Sequence, residues 1–264
     1  MSKGVLVDVT RCVGCGSCVV ACKMWNDLKY TKEIPAIGKD ARLAAENWTV
    51  VNKVEVKKGR KSAWRFVKQQ CLHCEEPACA SACFSRAIQK TGSGPVVYDA
   101  KLCVGCRYCM LACPFNIPKY EWDKTFPRVR KCQMCAGRVE KGETPACVGV
   151  CPAGALTYGE REDLIRQARE KINGNSGYIK HIYGEKEAGG TSWLYISDVP
   201  FEVLGFRTNV TTRPLPGYSE SILRLTPAVG LGWGAVLTGL YVYNRRRNEI
   251  AREEKGNNKA NKRK

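Results

Sequence analysis

Sixteen cysteines lie between residues 12 and 151 in four groups of four, which we call runs one to four. Each run opens with a gap of two residues and closes with a gap of three, so the runs form an internal repeat. Cysteines this close in sequence are poorly placed to pair with one another as disulfides. A chain of 264 residues can also bury a core without cross-links. The cysteines therefore indicate metal ligation. The runs are Cys12, Cys15, Cys18 and Cys22; Cys71, Cys74, Cys79 and Cys83; Cys103, Cys106, Cys109 and Cys113; and Cys132, Cys135, Cys147 and Cys151.

The spacing of runs one and three is that of bacterial ferredoxins. There, three cysteines bind one 4Fe-4S cluster and the fourth binds a neighbouring cluster. Run three also ends in Cys113-Pro114, which completes the ferredoxin pattern. Zinc is the rival metal, but zinc ribbons use two separated cysteine pairs and have no place for a third cysteine at the same interval. The spacing predicts four 4Fe-4S clusters.

Because the closing cysteine of a run binds the neighbouring cluster, the runs must act in pairs. Runs two and three are adjacent and form one pair, which leaves runs one and four as the other. The predicted fold class is α+β, with two interlocked bacterial-ferredoxin-like domains. The predicted ligand sets are Cys12, Cys15, Cys18 and Cys151 for cluster 1; Cys71, Cys74, Cys79 and Cys113 for cluster 2; Cys103, Cys106, Cys109 and Cys83 for cluster 3; and Cys132, Cys135, Cys147 and Cys22 for cluster 4.

Three polar side chains lie next to ligand cysteines in the sequence. His73 either donates a hydrogen bond to a cluster sulfide or fills space. Lys23 and Arg107 either raise the reduction potential of a nearby cluster or are solvated at the surface.

Two segments outside the runs have clear periodicity. Residues 48–56 and 62–69 alternate with period two around a polar turn, which predicts a β-hairpin in the insertion 23–70. Residues 160–173 carry apolar side chains along one helical face, which predicts an amphipathic helix on the cluster domain.

Residues 225–243 contain no charged side chain over nineteen positions, which predicts a transmembrane helix spanning about 222–243. A buried helix of a soluble domain is the alternative. Arg224 and the segment NRRRN bracket the stretch, and no further domain follows to bury it. Gly230 and Gly234 form a small-xxx-small pair suited to packing on another membrane helix.

Charge predicts the orientation of this helix. Residues 244–264 contain nine Lys or Arg, whereas residues 204–224 contain three. The positive-inside rule then predicts a cytoplasmic tail, with the cluster domain on the outer, periplasmic face of the inner membrane. The N-terminus shows no apolar signal core and no twin arginine. We therefore expect the domain to cross the membrane folded, carried by a partner that has the signal.

The formal net charge of +18 counts the cysteines as neutral. Sixteen thiolates and four oxidised cluster cores contribute roughly −8, and the tail 244–264 accounts for a further +6. The charge that remains, about +4, is too small to indicate nucleic-acid binding. Contact between the tail and anionic membrane lipid is the charge-based expectation.

Four segments resemble the iron–sulfur β subunits of membrane-bound respiratory oxidoreductases, especially formate dehydrogenases of the nitrate-inducible type. They are CVGCGSCVVACKMWND (12–27), CLHCEEPAC (71–79), CVGCRYCMLACPFNIPKY (103–120) and CVGVCPAGAL (147–156). The segment 183–202 is similar both to that family and to the hydrogenase-2-type electron-transfer subunit. The resemblance implies electron transfer between a large catalytic subunit and a membrane cytochrome b or quinone-reactive subunit. The catalytic subunit would hold molybdenum or tungsten pterin, or nickel–iron.

The predicted organisation has paired ferredoxin-like domains over 1–159, then a helix and partner-docking segment over 160–221, before the membrane helix and the tail. No nucleophile–base pair and no phosphate-binding loop is recognisable in the sequence, so we expect an electron-transfer subunit without a catalytic site. The alternative of another class is a membrane-tethered redox sensor or a standalone ferredoxin, which would be active as an isolated monomer.

Overall fold

The computed structural model describes residues 2–58, 61–174 and 176–261, and the chain divides into two units, Met1–Pro216 and Gly217–Lys264. The described strands are β1 (Lys3–Asp8), β2 (Ile37–Gly38), β3 (Thr49–Lys58), β4 (Lys61–Gln70), β5 (Ile88–Lys90), β6 (Val96–Tyr98), β7 (Lys119–Tyr120), β8 (Val129–Arg130), β9 (Leu156–Glu160) and β10 (Trp193–Ile196). The described α-helices are α1 (Ser17–Trp25), α2 (Ala78–Ser81), α3 (Tyr108–Ala112), α4 (Ala136–Val139), α5 (Ala146–Gly149), α6 (Arg161–Gly174) and α7 (Pro216–Asn261).

A three-stranded sheet joins distant parts of the first unit. β1 lies in the middle, parallel to β10 and antiparallel to β9. Alternate side chains of a strand point to opposite faces, so Val5 and Val7 enter the main apolar core while Leu6 enters a second core. β1 leads into run one and β9 follows run four, so their pairing brings these two runs together.

Helix α6 covers one face of this sheet. Its Leu164, Ile165 and Ala168 are buried in the second core with Leu6, and Ile172 packs against them. The helix spans Arg161–Gly174, close to the predicted 160–173. Burying a Leu or Ile side chain contributes about 1.5–3 kcal/mol, so this apolar face accounts for the position of the helix.

Strands β3 and β4 pair antiparallel, with Thr49 opposite Gln70, and β2 lies parallel to β3. Val67 enters the main core from β4. The buried end of the pair carries three polar side chains, Thr49, Lys68 and Gln70, into the interior. This insertion therefore delivers polar groups to the region where the cysteine loops meet.

Runs two and three pack around two short antiparallel pairs, β5 with β6 and β7 with β8. Ile88, Val96 and Val129 from these strands form an apolar core that includes Cys79 and Cys109. Cys83 and Cys103 pack against this core, whereas Cys71 and Cys113 belong to another core with Cys22 and Cys132.

The second unit contains α7. Within the described part of the chain, one helix has the length and composition to cross a membrane; its candidate span is Pro216–Arg252, with a mean hydropathy of 1.4 in its most apolar window. That window is not buried within the protein, and large apolar side chains such as Leu231 and Trp233 are exposed along it.

Candidate metal centres

Each cysteine run forms a loop that continues into a short helix. Residues in the left-handed backbone region turn the loops. Gly14 and Gly16, with φ of 72° and 76°, flank Cys15 in run one, and Gly105 and Arg107, with φ of 74° and 62°, occupy the equivalent positions in run three. Such backbone curls a short loop so that successive side chains point to one side of it.

Gly14 is required for a second reason. A Cβ atom at this position would lie 2.3 Å from Cδ1 of Phe66. Phe66 belongs to β4, so the loop of run one rests directly on the inserted strand pair. A side chain at position 14 would push the loop away from this strand.

A cavity lies under the loop of run one and is lined by the four cysteines predicted to bind cluster 1. Three of them, Cys12, Cys15 and Cys18, come from run one, and Cys151 comes from run four. Val7, Val51 and Lys68 also line the cavity. The pairing of β1 with β9 delivers Cys151 to this position.

A second cavity is lined by the four cysteines predicted to bind cluster 4. Lys68, Trp193 and Thr49 also line it, so Lys68 borders both cavities. The four cysteines are Cys22, Cys132, Cys135 and Cys147.

The remaining eight cysteines interact in two groups. Burial raises the pKa of Cys74 well above its usual value, and the neighbouring thiolates of Cys71, Cys113 and Cys79 raise it further. Burial likewise raises the pKa of Cys109 to about 11, with added contributions from Cys103, Cys83 and Cys106. These groups have the same members as the sets predicted for clusters 2 and 3.

Contacts between sets give them an order. In three cysteines the pKa is raised first by burial and then also by a thiolate of a different set. Cys147 acts on Cys18, which links sets 1 and 4. Cys71 acts on Cys132, which links sets 4 and 2. Cys109 acts on Cys79, which links sets 2 and 3. The apolar cores give the same neighbours: Cys147 packs with Cys18, Cys132 with Cys71, and Cys79 with Cys109. The sets therefore lie in the order 1, 4, 2, 3.

The sets are open rather than convergent. A tetrahedral zinc site brings four ligands to about 2.0–2.3 Å from one point. Among the described residues, no group of three or more His, Cys, Asp or Glu side chains converges on a single-ion position. The cysteines instead surround spaces that can hold a group of several atoms.

Comparison with known proteins agrees with this geometry. Models of the 4Fe-4S dicluster domain match residues 11–87 and 62–161. The chain is 38% identical over 234 residues to the formate dehydrogenase-O iron–sulfur subunit of Escherichia coli K12, with 85% of this chain and 77% of the relative covered. It is 35% identical over 243 residues to the hydrogenase-2 operon protein HybA of Escherichia coli O157:H7, with 77% and 72% covered. A protein of Nitratidesulfovibrio vulgaris is 46% identical over 259 residues, with 96% and 70% covered.

The chain belongs to the family of these iron–sulfur subunits. It is an electron-transfer subunit that carries 4Fe-4S clusters in dicluster domains. Its similarity extends to formate dehydrogenase and hydrogenase-2 relatives alike, as the sequence resemblance predicts.

The thiols of this iron–sulfur subunit fit the role of cluster ligands. Burial raises the pKa of Cys22 to about 12, so this thiol stays neutral in water-excluded surroundings unless a cation binds it. Iron binds the thiolate form and displaces the proton. Folding thus buries these thiols. Once they are deprotonated, only a bound metal centre and nearby cations can balance their negative charge.

His73 is fully buried between two ligand cysteines. Its Nδ1 accepts a hydrogen bond from the backbone N–H of Val96 at 2.8 Å. The ring is therefore neutral and carries its proton on Nε2, and this atom has no hydrogen-bond partner among the described residues. Burial lowers the pKa of His73 well below its usual value. Donation from this N–H to a cluster sulfide stays a prediction.

The structure also adds one residue that sequence reasoning missed. Lys68 is only 2% exposed and borders two cysteine sets. By contrast, Arg107 is exposed, and Lys23 is partly exposed with Nζ donating to backbone carbonyls of Lys29 and Glu46. One feature of the sequence could have indicated Lys68: it lies three positions before Cys71, in a strand that leads into run two.

Proposed function

We propose that this subunit passes electrons through four 4Fe-4S clusters, in the spatial order 1, 4, 2, 3, between a catalytic subunit and a membrane subunit. The ligand sets are those predicted from the spacing. The observation that carries the proposal is the cavity lined by Cys12, Cys15, Cys18 and Cys151, because it unites thiols from the first and last runs. Two interlocked ferredoxin-like domains, one from runs one and four and one from runs two and three, account for this arrangement.

The two ends of the series are suited to meet partners. Cys15 in set 1 and Cys106 in set 3 are exposed, and they belong to the terminal sets. Exposed apolar side chains surround them, with Val13 at one end and Val104 and Leu111 at the other. Exposed apolar groups of this kind are typical of protein interfaces.

The chain's own residues hold and insulate the path between these ends. Donated backbone and side-chain hydrogen bonds and buried cations surround the interior sets, while the apolar cores exclude water. When bound, the clusters supply one-electron chemistry. We assign no substrate chemistry to the chain itself, and catalysis belongs to the partner.

The catalytic partner is proposed from the family. A formate dehydrogenase-type subunit with molybdenum or tungsten pterin is the first candidate, and a nickel–iron hydrogenase subunit is the second. Similarity to the formate dehydrogenase-O subunit and to the hydrogenase-2 protein supports both. The membrane partner is a cytochrome b or quinone-reactive subunit. Identifying the large subunit that co-purifies with the chain distinguishes the two candidates.

Membrane attachment is part of the same proposal. Helix α7 anchors the chain as a single span, with the basic tail in the cytoplasm and the cluster domain on the periplasmic face. The length and composition of the helix and the excess of Lys and Arg after it support this orientation. Protease added to spheroplasts should digest the cluster domain and spare a tag on the tail; the reverse pattern contradicts the orientation.

Iron and acid-labile sulfide analysis tests the central proposal. Anaerobically purified chain, isolated with its accompanying subunits, should contain about sixteen iron and sixteen sulfide per chain, as four 4Fe-4S clusters require. The Cys151→Ala variant should lose cluster 1 and keep signals from the other three. A wild-type content of two clusters, or a Cys151→Ala variant that keeps all its iron, contradicts the ligand sets.

A further inference from the structure

Lys68 is a buried cation without an acidic partner. Its side chain points inward from β4, and the residue is 2% exposed. Nζ donates hydrogen bonds to Thr49 Oγ1 at 2.6 Å and to Gln70 Oε1 at 2.8 Å, and it lies 4.6 Å from the centroid of the Trp193 ring. These groups are all neutral. In the described part of the chain, no carboxylate forms an ion pair with Lys68.

An uncompensated buried ammonium is strongly destabilising, so its counter-charge must come from elsewhere. The cysteine sets supply it, because Lys68 borders the cavities of both set 1 and set 4. Burial lowers the pKa of Lys68, but the thiolates of Cys147 and Cys18 outweigh burial, together with those of Cys132 and Cys22, and the net shift is upward. These four cysteines belong to the two sets in question.

The surroundings hold the charge in place. Gln70 Nε2 donates to the hydroxyl of Tyr195 at 2.7 Å, and that hydroxyl donates to the backbone carbonyl of Lys68 at 3.2 Å. Tyr195 lies on β10, next to β1. The ammonium is therefore fixed by the strand pair on one side and by the central sheet on the other.

Resting on the function proposed above, we propose that Lys68 is the shared counter-charge of clusters 1 and 4 and sets the reduction potentials of both. Reduction adds one electron to a cluster, and a fixed positive charge nearby stabilises the more negative product. The field of a buried charge is weakly screened by salt. Lys68 therefore makes both clusters easier to reduce.

Lys131 provides a matched control. It is 3% exposed, and within the described residues its Nζ donates to the backbone carbonyls of Val96 and Cys132 alone. Val96 packs in one core with Cys79, so Lys131 lies beside set 2. A Lys131→Met variant removes an equally buried charge. Because Lys131 does not line the cavity of set 1, this substitution leaves the lining of that cavity intact.

The test is an EPR-monitored redox titration of the full-length chain, purified anaerobically with its accompanying subunits. The Cys15→Ala variant identifies the cluster 1 signal by deleting it. Lys68→Met and Lys68→Gln should each lower the reduction potentials of clusters 1 and 4 by at least about 59 mV. This shift corresponds to a tenfold change in the one-electron equilibrium constant. Lys68→Arg should change that equilibrium constant by no more than twofold. Lys131→Met should leave the reduction potential of cluster 1 unchanged and lower that of cluster 2.

Iron content separates the outcomes. If Lys68→Met keeps its full iron content and its reduction potentials are unchanged, the proposal is overturned. The proposal is also overturned if Lys68→Met and Lys131→Met lower the potential of cluster 1 equally. Loss of cluster 1 and 4 iron in the two neutral variants but not in Lys68→Arg supports it, because the charge is then needed to hold the clusters. Equal loss in all three Lys68 variants overturns it in favour of a packing role. Wild-type material lacking four clusters instead refutes the proposed function.

Discussion

The inner and outer cysteine sets differ in exposure. In the inner sets, 4 and 2, Cys22, Cys132 and Cys147 are buried, as are Cys71 and Cys79. Each outer set, 1 and 3, has one exposed cysteine. Lys68 and Lys131 bring positive charge to the interior, where they are 2% and 3% exposed, and Lys68 serves the inner set 4 together with the outer set 1.

This difference separates two tasks. The outer sets must approach partner proteins, and exposure allows this. The inner sets must keep negative charge in low-dielectric surroundings, where an unpaired charge is costly. Buried lysines without carboxylate partners are the compensation, because a lysine paired with Asp or Glu would leave the cluster charge unbalanced.

The most damaging change should interrupt an inner set. Cys147→Ala removes a ligand of cluster 4, which stands second in the series, and should reduce electron transfer from the catalytic partner to a quinone analogue to the background rate. Iron should fall by about a quarter, as loss of one cluster of four predicts. Val150→Ala, a change at a 44%-exposed position of the same run, is the control. Wild-type rates in Cys147→Ala would remove set 4 from the path.

In the iron-free chain, the thiols of an outer and an inner set should differ in their reactivity. A hydrogen bond with Ser17 lowers the pKa of Cys15, whereas burial raises that of Cys22 to about 12. Only the thiolate reacts with iodoacetamide, so at pH 8 Cys15 should react about a thousandfold faster than Cys22. Raising the pH to 10 should speed Cys22 about tenfold per unit while Cys15 levels off near its pKa. Mass spectrometry measures both, and Ser17→Ala should slow Cys15; equal rates would contradict the contrast.

An outer loop should be sensitive to backbone change where it rests on β4. Gly14→Ala introduces a Cβ against Phe66 and places alanine at φ 72°. We expect a loss of about 2 kcal/mol or more in the free energy of unfolding, with weakened cluster 1 signal. Gly137→Ala in α4 is the control, because its Cβ meets nothing within 4 Å. Denaturant titration compares the two, and equal effects would mean that Phe66 moves freely.

The smallest effect should follow removal of a charge near the surface. Lys23 is partly exposed and adjoins Cys22, so water and salt screen its charge. Lys23→Met should change the one-electron equilibrium constant of every cluster by less than about twofold. A shift as large as that expected for Lys68→Met would show that burial does not decide which lysine matters.

Local spacing carries much of the site. The gaps within each run predict that its cysteines lie on a loop followed by a helix. This prediction is possible because three or four residues define the geometry of one loop. The face of α6 could be predicted for the same reason, since Leu164, Ile165 and Ala168 lie within two turns. The assignment of ligands to clusters stays a prediction until iron analysis tests it.

Lys68 could not be recognised because its burial depends on distant segments. Thr49, Trp193 and the loops of runs one and four all surround it, and only the folded chain brings them together. Nearness in sequence pointed to Lys23 and Arg107 instead. Arg107 lies over the rings of Tyr120 and Trp122, with 5.7 and 5.3 Å to the ring centroids, and is exposed.

The central position of β1 has a consequence for biosynthesis. Sets 2 and 3 contain residues no later than Cys113, whereas sets 1 and 4 need Cys147 and Cys151, and β1 needs β9 and β10. A ribosome therefore releases every thiol of sets 2 and 3 before it finishes the others. β1 ends at Asp8 and its first partner, β9, begins at Leu156, so the first strand to emerge must wait, unpaired, for nearly 150 further residues of translation.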